Sequence, residues 1–395
     1  MNNIGSLSGK NILFLQGPMG TFFKKLDTTF HKKGATTYRI GFNMGDQFFS
    51  HKHNFTPYKS TVKEWPSFIE NFLKDKHIDK IFLFGDCRYY QRIARKIAFE
   101  NDIDTFVFEE GYLRPHYITL EKFGVNGFSK LSHAADFYHT LPLENTPKPK
   151  HANQSKMQIV IYSTLYYALS NLFNRKYPHY VHHREFSAFK EFFHGIRAVF
   201  RKGLYHFTEK EYLPLITEKL SKKYYFVPLQ THNDFQILQH STYRSIEKFI
   251  LEVLESFAHH APKETHLIFK HHPVDRGRKN YNTFITEQAT LLDINDRVLT
   301  LHDVHLATCL QHTLGTVTIN STVGLNSIGH GIPTIALGDA IYDIKGLTNK
   351  GTSLRKFWHQ HKKPDQALYI KFKQYLIQTT QLNGSFYGLM PNMLK

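Results

Sequence analysis

Four short stretches of this 395-residue chain place acids, histidines or hydroxyls where an apolar run stops, and each suits chemistry on a phosphorylated substrate. Gln230-Thr231-His232-Asn233-Asp234 comes just past a run ending at Leu229, and the Asp234 carboxylate there would serve as nucleophile or base. Its plainer reading is an Asx turn or a cap on the next helix. Glu109-Glu110-Gly111-Tyr112-Leu113-Arg114-Pro115 ends the run TFVF. Paired carboxylates with Arg114 nearby suit a catalytic acid or base with an oriented partner, and the apolar residues on both sides weaken the reading as a solvated turn. His271-His272-Pro273 follows HLIFK, which ends at Lys270, and leads into Asp275, Arg276, Arg278 and Lys279. A histidine there donates to a phosphate or a leaving oxygen; otherwise it is a satisfied turn residue fixed by the proline. Asn320-Ser321-Thr322-Val323-Gly324 closes one run and opens a helical stretch, so its hydroxyl cap and free backbone N–H groups form either an anion site or an ordinary N-cap.

Nothing near these histidines has the His/Asp/Glu spacing of a metal site, and no metal is expected. Gly17-Pro18-Met19-Gly20, after the first apolar run, is a helix-entry loop without GxGxxG or P-loop spacing. That argues against a dinucleotide oxidoreductase or an NTPase, and no cofactor is expected.

Such segments need a scaffold that presents strand ends. Asn11 to Gln16, Thr37 to Asn43, Lys80 to Phe84 and Thr105 to Phe108 read as short buried strands, separated by helical stretches that include Trp65 to Lys76 and Arg88 to Glu100. The pattern restarts after residue 220. Tyr224 to Leu229, His266 to Lys270, Val298 to Leu301, Gly315 to Asn320 and Pro333 to Leu337 are strands, and Ser245 to His259 is a helix. Pro228 is expected at a strand end or on an edge strand. Two such series predict an α/β protein of two doubly wound, Rossmann-like domains facing a cleft, with ligands beyond the carboxyl ends of the strands. Between them, residues of about 150–210 are rich in basic and aromatic side chains. There Phe186 to Phe207 sets Phe189, Phe192, Phe193, Ile196, Val199 and Phe200 near Lys190, Arg197, Arg201 and Lys202. This is a basic amphipathic helix, either lying on an anionic membrane or packed on its own domain with snorkelling cations.

Lysine and arginine total 50 against 33 aspartates and glutamates, a net charge of +17, with 26 histidines besides. Such a surface seeks polyanions, although a lysine-rich genome would produce the same balance. No recognised RNA or DNA module is present, and no nucleic-acid partner is expected. Cys87 and Cys309 stand far apart, which fits a reducing compartment rather than a disulfide framework. Met1 to Lys10 is polar and does not read as a signal peptide. Met157 to Phe173 is the best candidate span, but Gln158, Ser163, Ser170 and Asn171 interrupt it, so a buried or interfacial helix is expected instead.

Six blocks along the chain carry a more specific signal: FLQGPMGTFF, GFNMGDQFF, FEEGYLRPHYITLEKFGVNG, VPLQTHNDFQI, KHHP and NSTVGLNSIGHGIPTIALGDAIYDIKGLT. In this order they resemble the KpsS/LipB group of capsule polysaccharide proteins over nearly the whole chain. The resemblance implies a GT-B fold, with an acceptor-side domain at 1–220 that contains the basic helical segment. A nucleotide-sugar domain at 221–395 would follow, ending in helices. It implies a retaining β-Kdo glycosyltransferase that uses CMP-Kdo to place the first Kdo of a poly-Kdo linker on lysophosphatidylglycerol. It also implies a cytoplasmic location at the inner-membrane surface of Gram-negative bacteria, with a KpsC-like transferase and the capsule ABC exporter as further partners.

Residue by residue, the Q-x-x-x-D motif falls on Gln230 and Asp234, making Asp234 the catalytic carboxylate. The E-G motif falls on Glu110 and Gly111, the H-P motif on His272 and Pro273, and the nucleotide-side loop on Ser321 and Thr322. Gly17, Arg114, Lys270, His271 and Asn320 complete the expected substrate contacts. The alternatives are a non-catalytic export or scaffold protein of the capsule machinery, or another GT-B enzyme such as a UDP-sugar transferase or a nucleotide-sugar epimerase.

Overall fold

The computed structural model describes residues 4–142, 145–181, 188–232 and 235–394, with side chains at all of these except 188–192, 235, 236 and 393. Asp234 therefore lies outside the described residues, as do Phe186 and the side chains of Phe189, Lys190 and Phe192.

The runs NILFL and KIFLF become β1 (Asn11–Leu15) and β4 (Lys80–Phe84), paired in parallel within one sheet. A strand apolar on both faces must be covered on both sides. The helix Phe22–Lys32 covers one side with buried Phe22, Phe23, Leu26 and Phe30. Phe23 meets the Phe14 ring at 5.3 Å and Phe30 meets Phe82 at 5.2 Å. Leu13, Leu15, Ile81 and Leu83 point the other way, into a cluster with Trp65, Ile69, Ala94 and Ile97 from the helices Trp65–Asp75 and Tyr89–Glu100. Each such ring, fully buried, stabilises the fold by roughly 1.5–3 kcal/mol before entropy is counted. β2 (Thr36–Gly41), β3 (Phe55–Pro57) and β5 (Asp104–Glu110) extend the parallel order to β3-β2-β1-β4-β5, and β6 (Tyr117–Lys122) adds antiparallel to β5.

The second sheet is parallel throughout. β7 (Tyr224–Pro228), β8 (His266–Lys270), β9 (Val298–Leu301), β10 (Gly315–Thr318) and β11 (Thr334–Ala336) take the order β11-β10-β7-β8-β9. Its core joins Tyr225, Val227, Leu267 and Phe269 to Phe249, Ile250, Val253 and Phe257 of the helix Ile246–His260, with Trp358. In both sheets the chain starts in the middle, winds to one edge, and returns to the other side of its first strand. That doubly wound order puts a switch point between β1 and β4 and another between β7 and β10. The expected α/β, GT-B-like pair of Rossmann-like units is present.

Three details differ from the sequence expectations. Pro228 ends β7, which is an interior strand of its sheet; the edge alternative does not hold. The unit boundary does not fall at residue 220. One compact unit comprises Met1–Lys130, Glu144–Ala188 and Gln374–Lys395, and the other Leu131–Leu143 and Phe189–Lys373. The cause is pairing that ignores chain order: β12 (Gln381–Asn383) joins β6 in the first sheet, and Tyr138 packs edge-on against Phe372 at 5.1 Å in the second unit. Finally, the basic aromatic segment is a helix, Ala188–Thr208, and belongs to the second unit, while the preceding helix Lys156–Leu172 belongs to the first. Among the described residues no helix is long and apolar enough to cross a membrane.

Candidate functional site

At the switch point of the second unit, β7 stops at Pro228 and β10 at Thr318. Just beyond, two amide side chains clasp across the gap. Gln230 Nε2 donates to Asn320 Oδ1 at 3.0 Å, and Asn320 N donates to Gln230 Oε1 at 3.2 Å. Asn320 Nδ2 reaches the His240 carbonyl at 3.3 Å. This clasp explains why the run GTVTIN leaves the strand before Asn320. Ser321 then caps the helix Thr322–Gly329, its Oγ accepting from Val323 N at 3.2 Å. Gly324 is required there, because a Cβ would lie 2.3 Å from the Tyr342 hydroxyl, which donates to the Ser321 carbonyl. The positive end of a helix and its first N–H groups thus follow directly on the clasp, a place suited to an anion.

The next strand end carries the histidines. His272 caps the short turn Pro273–Asp275, its Nδ1 accepting from Val274 N at 3.2 Å. Capping makes Nδ1 the acceptor and leaves the proton of the neutral ring on Nε2. Lys270 and His271 are turned inward. Lys270 Nζ donates to the His302 carbonyl at 2.8 Å, and burial lowers its pKa. His271 is 4% exposed and stacks on His302 with centroids 4.5 Å apart. Burial, with His302 alongside, pulls its pKa down to about 3, so it stays neutral at physiological pH. Buried Asp275 accepts from His232 N at 2.8 Å and faces His232 Nδ1 at 2.7 Å. Gln230 is therefore anchored on the β10 side and His232 on the β8 side.

In the first unit, Glu109 and Glu110 finish β5. Glu109 Oε1 accepts from Glu110 N at 3.0 Å, and burial pushes its carboxyl up to about 7. Burial also raises Glu110, against the pull of Arg114, whose Nε donates to the Gly111 carbonyl at 3.2 Å. Gly111 cannot be replaced without a shift, since a Cβ would stand 2.0 Å from the Tyr117 carbonyl oxygen. Gly17 is required for packing, because a Cβ there would meet the Phe23 ring at 2.6 Å. Beside Gly17, Gln16 joins a buried network that the sequence did not single out. Its Oε1 accepts from Gln91 Nε2 at 2.9 Å, its Nε2 lies 3.3 Å from Asp46 Oδ2, and Tyr166 donates to Asp46 Oδ1 at 2.9 Å.

Glu121, behind the Gly111 turn, is also pushed up to about 7 by burial, although the Tyr112 hydroxyl donates to it at 2.6 Å and Ser129 donates as well. A carboxyl that holds its proton up to about 7 when folded, but only to about 4.3 when unfolded, makes stability fall as pH rises between those values. The loss is on the order of 3 kcal/mol per group once fully ionised. Glu121→Gln is thus expected to shrink the drop in melting temperature between about pH 5 and pH 8 relative to the parent chain. Equal drops in both chains would contradict it.

The structure brings Gln230, Asn320, Ser321 and Thr322 to one switch point and gives His272 a fixed tautomer. It sets Glu110, Arg114 and Gly17 at strand ends of the other unit. It holds Lys270 and His271 inside the second unit. Glu109 and His302 were missed as individual residues. The doubled Glu109-Glu110 was the available signal for the first; no local pattern marks the second.

The chain is similar in structure to KpsC, a β-Kdo 2,7 transferase of Thermosulfurimonas dismutans, with 93% of this chain and 100% of that one covered, 13% identity and a TM-score of 0.42. In sequence it is 39% identical over 381 residues to the capsule polysaccharide export protein KpsS of Escherichia coli, covering 96% of this chain and 98% of that protein. It is 38% identical to the capsule polysaccharide modification protein LipB of Neisseria meningitidis serogroup A, covering 98% and 94%. The family model described as capsule polysaccharide biosynthesis protein matches residues 79–387. With that model covering most of the chain and these relatives matching nearly all of it, the chain belongs to the capsule polysaccharide biosynthesis protein family.

Proposed function

We propose that this chain is a retaining β-Kdo glycosyltransferase, which takes Kdo from CMP-Kdo and places the first sugar of a capsule poly-Kdo linker on lysophosphatidylglycerol. The observation that carries this reading is the Gln230–Asn320 clasp at the switch point of the second sheet. It sets Gln230 next to Asn320, which leads into the capped helix N-terminus at Ser321 as a phosphate-linked donor requires, and Asp234 follows Gln230 by four residues in the sequence.

In this reading the CMP phosphate rests on the N–H groups at Ser321 and Thr322, and His272 donates to it through Nε2. Asp234 attacks the anomeric carbon; the bond to the phosphate oxygen breaks and CMP leaves with the electron pair. The lipid hydroxyl then attacks the same carbon, Glu110 takes its proton, and the bond to Asp234 breaks, so two inversions give net retention. Gln230 and Asn320 hold the donor side and Arg114 and Gly17 the acceptor side. Lys270 and His271 brace the strand end that carries His272. The protein would act at the cytoplasmic face of the inner membrane, alongside a KpsC-like transferase and the ABC exporter.

The test is incubation of the full chain with lysophosphatidylglycerol and either CMP-Kdo or UDP-sugars, reading product mass. A lipid heavier by one Kdo, formed from CMP-Kdo alone, is expected. No product, or turnover of a UDP-sugar instead, would overturn the reading.

A further inference from the structure

We infer that the outward faces of two helices, Ala188–Thr208 and Lys156–Leu172, are lipid-contact surfaces that rest in an anionic membrane. The first is amphipathic with its faces reversed. Arg197, Arg201, Tyr205 and Glu209 recur every fourth residue and face the unit that carries the helix. Arg197 donates to the carbonyls of Gly277 and Arg278, and Arg201 to that of Arg276 at 3.0 Å. Tyr205 stacks on His302 with centroids 3.9 Å apart, and Glu209 faces His302 Nδ1 at 2.7 Å. The contact is close: a Cβ on Gly277 would lie 2.1 Å from the His194 carbonyl oxygen. The adjoining flank of the helix carries Phe193, Ile196, Phe200, Leu204 and Phe207, all exposed, with Phe200 and Phe207 at 70%. Turning the helix over would bury these rings only by breaking every one of the inward hydrogen bonds.

The helix Lys156–Leu172 shows the same reversal independently. Gln158, Tyr162, Tyr166 and Ser170 form its inward row, with Tyr166 on Asp46 and Ser170 Oγ donating to Asn43 Oδ1 at 2.9 Å. Met157, Val160, Ile161 and Leu172 are exposed. Monomeric soluble proteins seldom leave two such rows exposed to solvent.

Charge selects the occupant. Between residues 156 and 208 the only acidic residues are Glu185 and Glu191, while Lys156, Arg175, Lys176, Arg184, Lys190 and Lys202 are basic besides the two inward arginines. Lys210 Nζ lies 5.0 Å over the Phe207 ring. A second copy would set like charges against each other, whereas an anionic headgroup layer takes the lysines and its acyl region takes the rings. With Arg197 and Arg201 tied inward, apolar insertion dominates and headgroup attraction is the smaller part. The choice of lipid rests in part on the lipid acceptor proposed above.

The experiment is co-sedimentation of the full chain with vesicles of phosphatidylcholine alone or mixed with phosphatidylglycerol. The parent chain is compared with Phe193→Ser/Phe200→Ser/Phe207→Ser and with Met157→Ser/Ile161→Ser. Exposed positions leave folding intact, which a melting curve checks. Binding to the phosphatidylglycerol vesicles is expected, reduced at least tenfold by the triple change and severalfold by the double. Unchanged binding in both variants would overturn the inference. So would a parent dimer that the triple change makes monomeric, without vesicle binding by either. CMP release from CMP-Kdo is followed separately: vesicle binding lost in the variants, in a chain that never consumes CMP-Kdo, would uphold the lipid surface and reject the sugar assignment.

Discussion

Asp234→Ala is expected to lower Kdo transfer by at least about 1,000-fold, because it removes the atom proposed to bond the sugar rather than one that merely steadies it. The expectation rests on what flanks Asp234. Gln230 is clasped to Asn320, His232 is held on Asp275 through both its backbone and its ring, and a helix, Phe235–Gln239, follows at once. Mass spectrometry of the enzyme with CMP-Kdo and no acceptor should find one Kdo adduct on the parent chain and none on the variant. An adduct surviving Asp234→Ala would move the nucleophile elsewhere. An inactive variant that still supported capsule export would favour the scaffold alternative.

Glu110→Gln is expected to cost about 100- to 10,000-fold in transfer, the range for a positioned acid or base. The pH profile makes the assignment specific. As the base for the acceptor hydroxyl, Glu110 must be ionised, so transfer by the parent chain falls as pH falls through its pKa. Burial raises that pKa above the ordinary carboxylate value, with Arg114 opposing. The glutamine variant has nothing to titrate and loses this limb. Glu109, pushed up to about 7, gives the control. If the limb sits near 7 and disappears in Glu109→Gln but survives in Glu110→Gln, the base is Glu109.

The strands of both sheets were legible because parallel strands covered on both faces must be apolar throughout. KIFLF, HLIFK and VLTL were found at their true limits. The three-residue edge strand β3 and the antiparallel additions β6 and β12 were not. β12 pairs with β6 across more than 250 residues, Gln381 with Thr119, and no local pattern reports a partner that distant, whereas β6 pairs with nearby β5, Phe106 with Lys122. The unit division was not legible either, since the chain returns to the first sheet only at its end and Phe189–Lys373 belongs to the second unit.

By itself the sequence determined two doubly wound α/β units, four strand-end motifs with their candidate acids and histidines, and a basic amphipathic helix. All are local properties, set by periodicity, turn chemistry and residue type. Only the tertiary structure decided that Gln230 and Asn320 clasp one another, that His271 and Lys270 turn inward while His272 keeps a proton on Nε2, and that burial raises Glu109 and Glu110. It alone decided which face of the Ala188–Thr208 helix looks outward. A helical wheel gives two faces but not a direction, and here the backbone carbonyls of residues 276–278 claimed the arginines and left the phenylalanines outside.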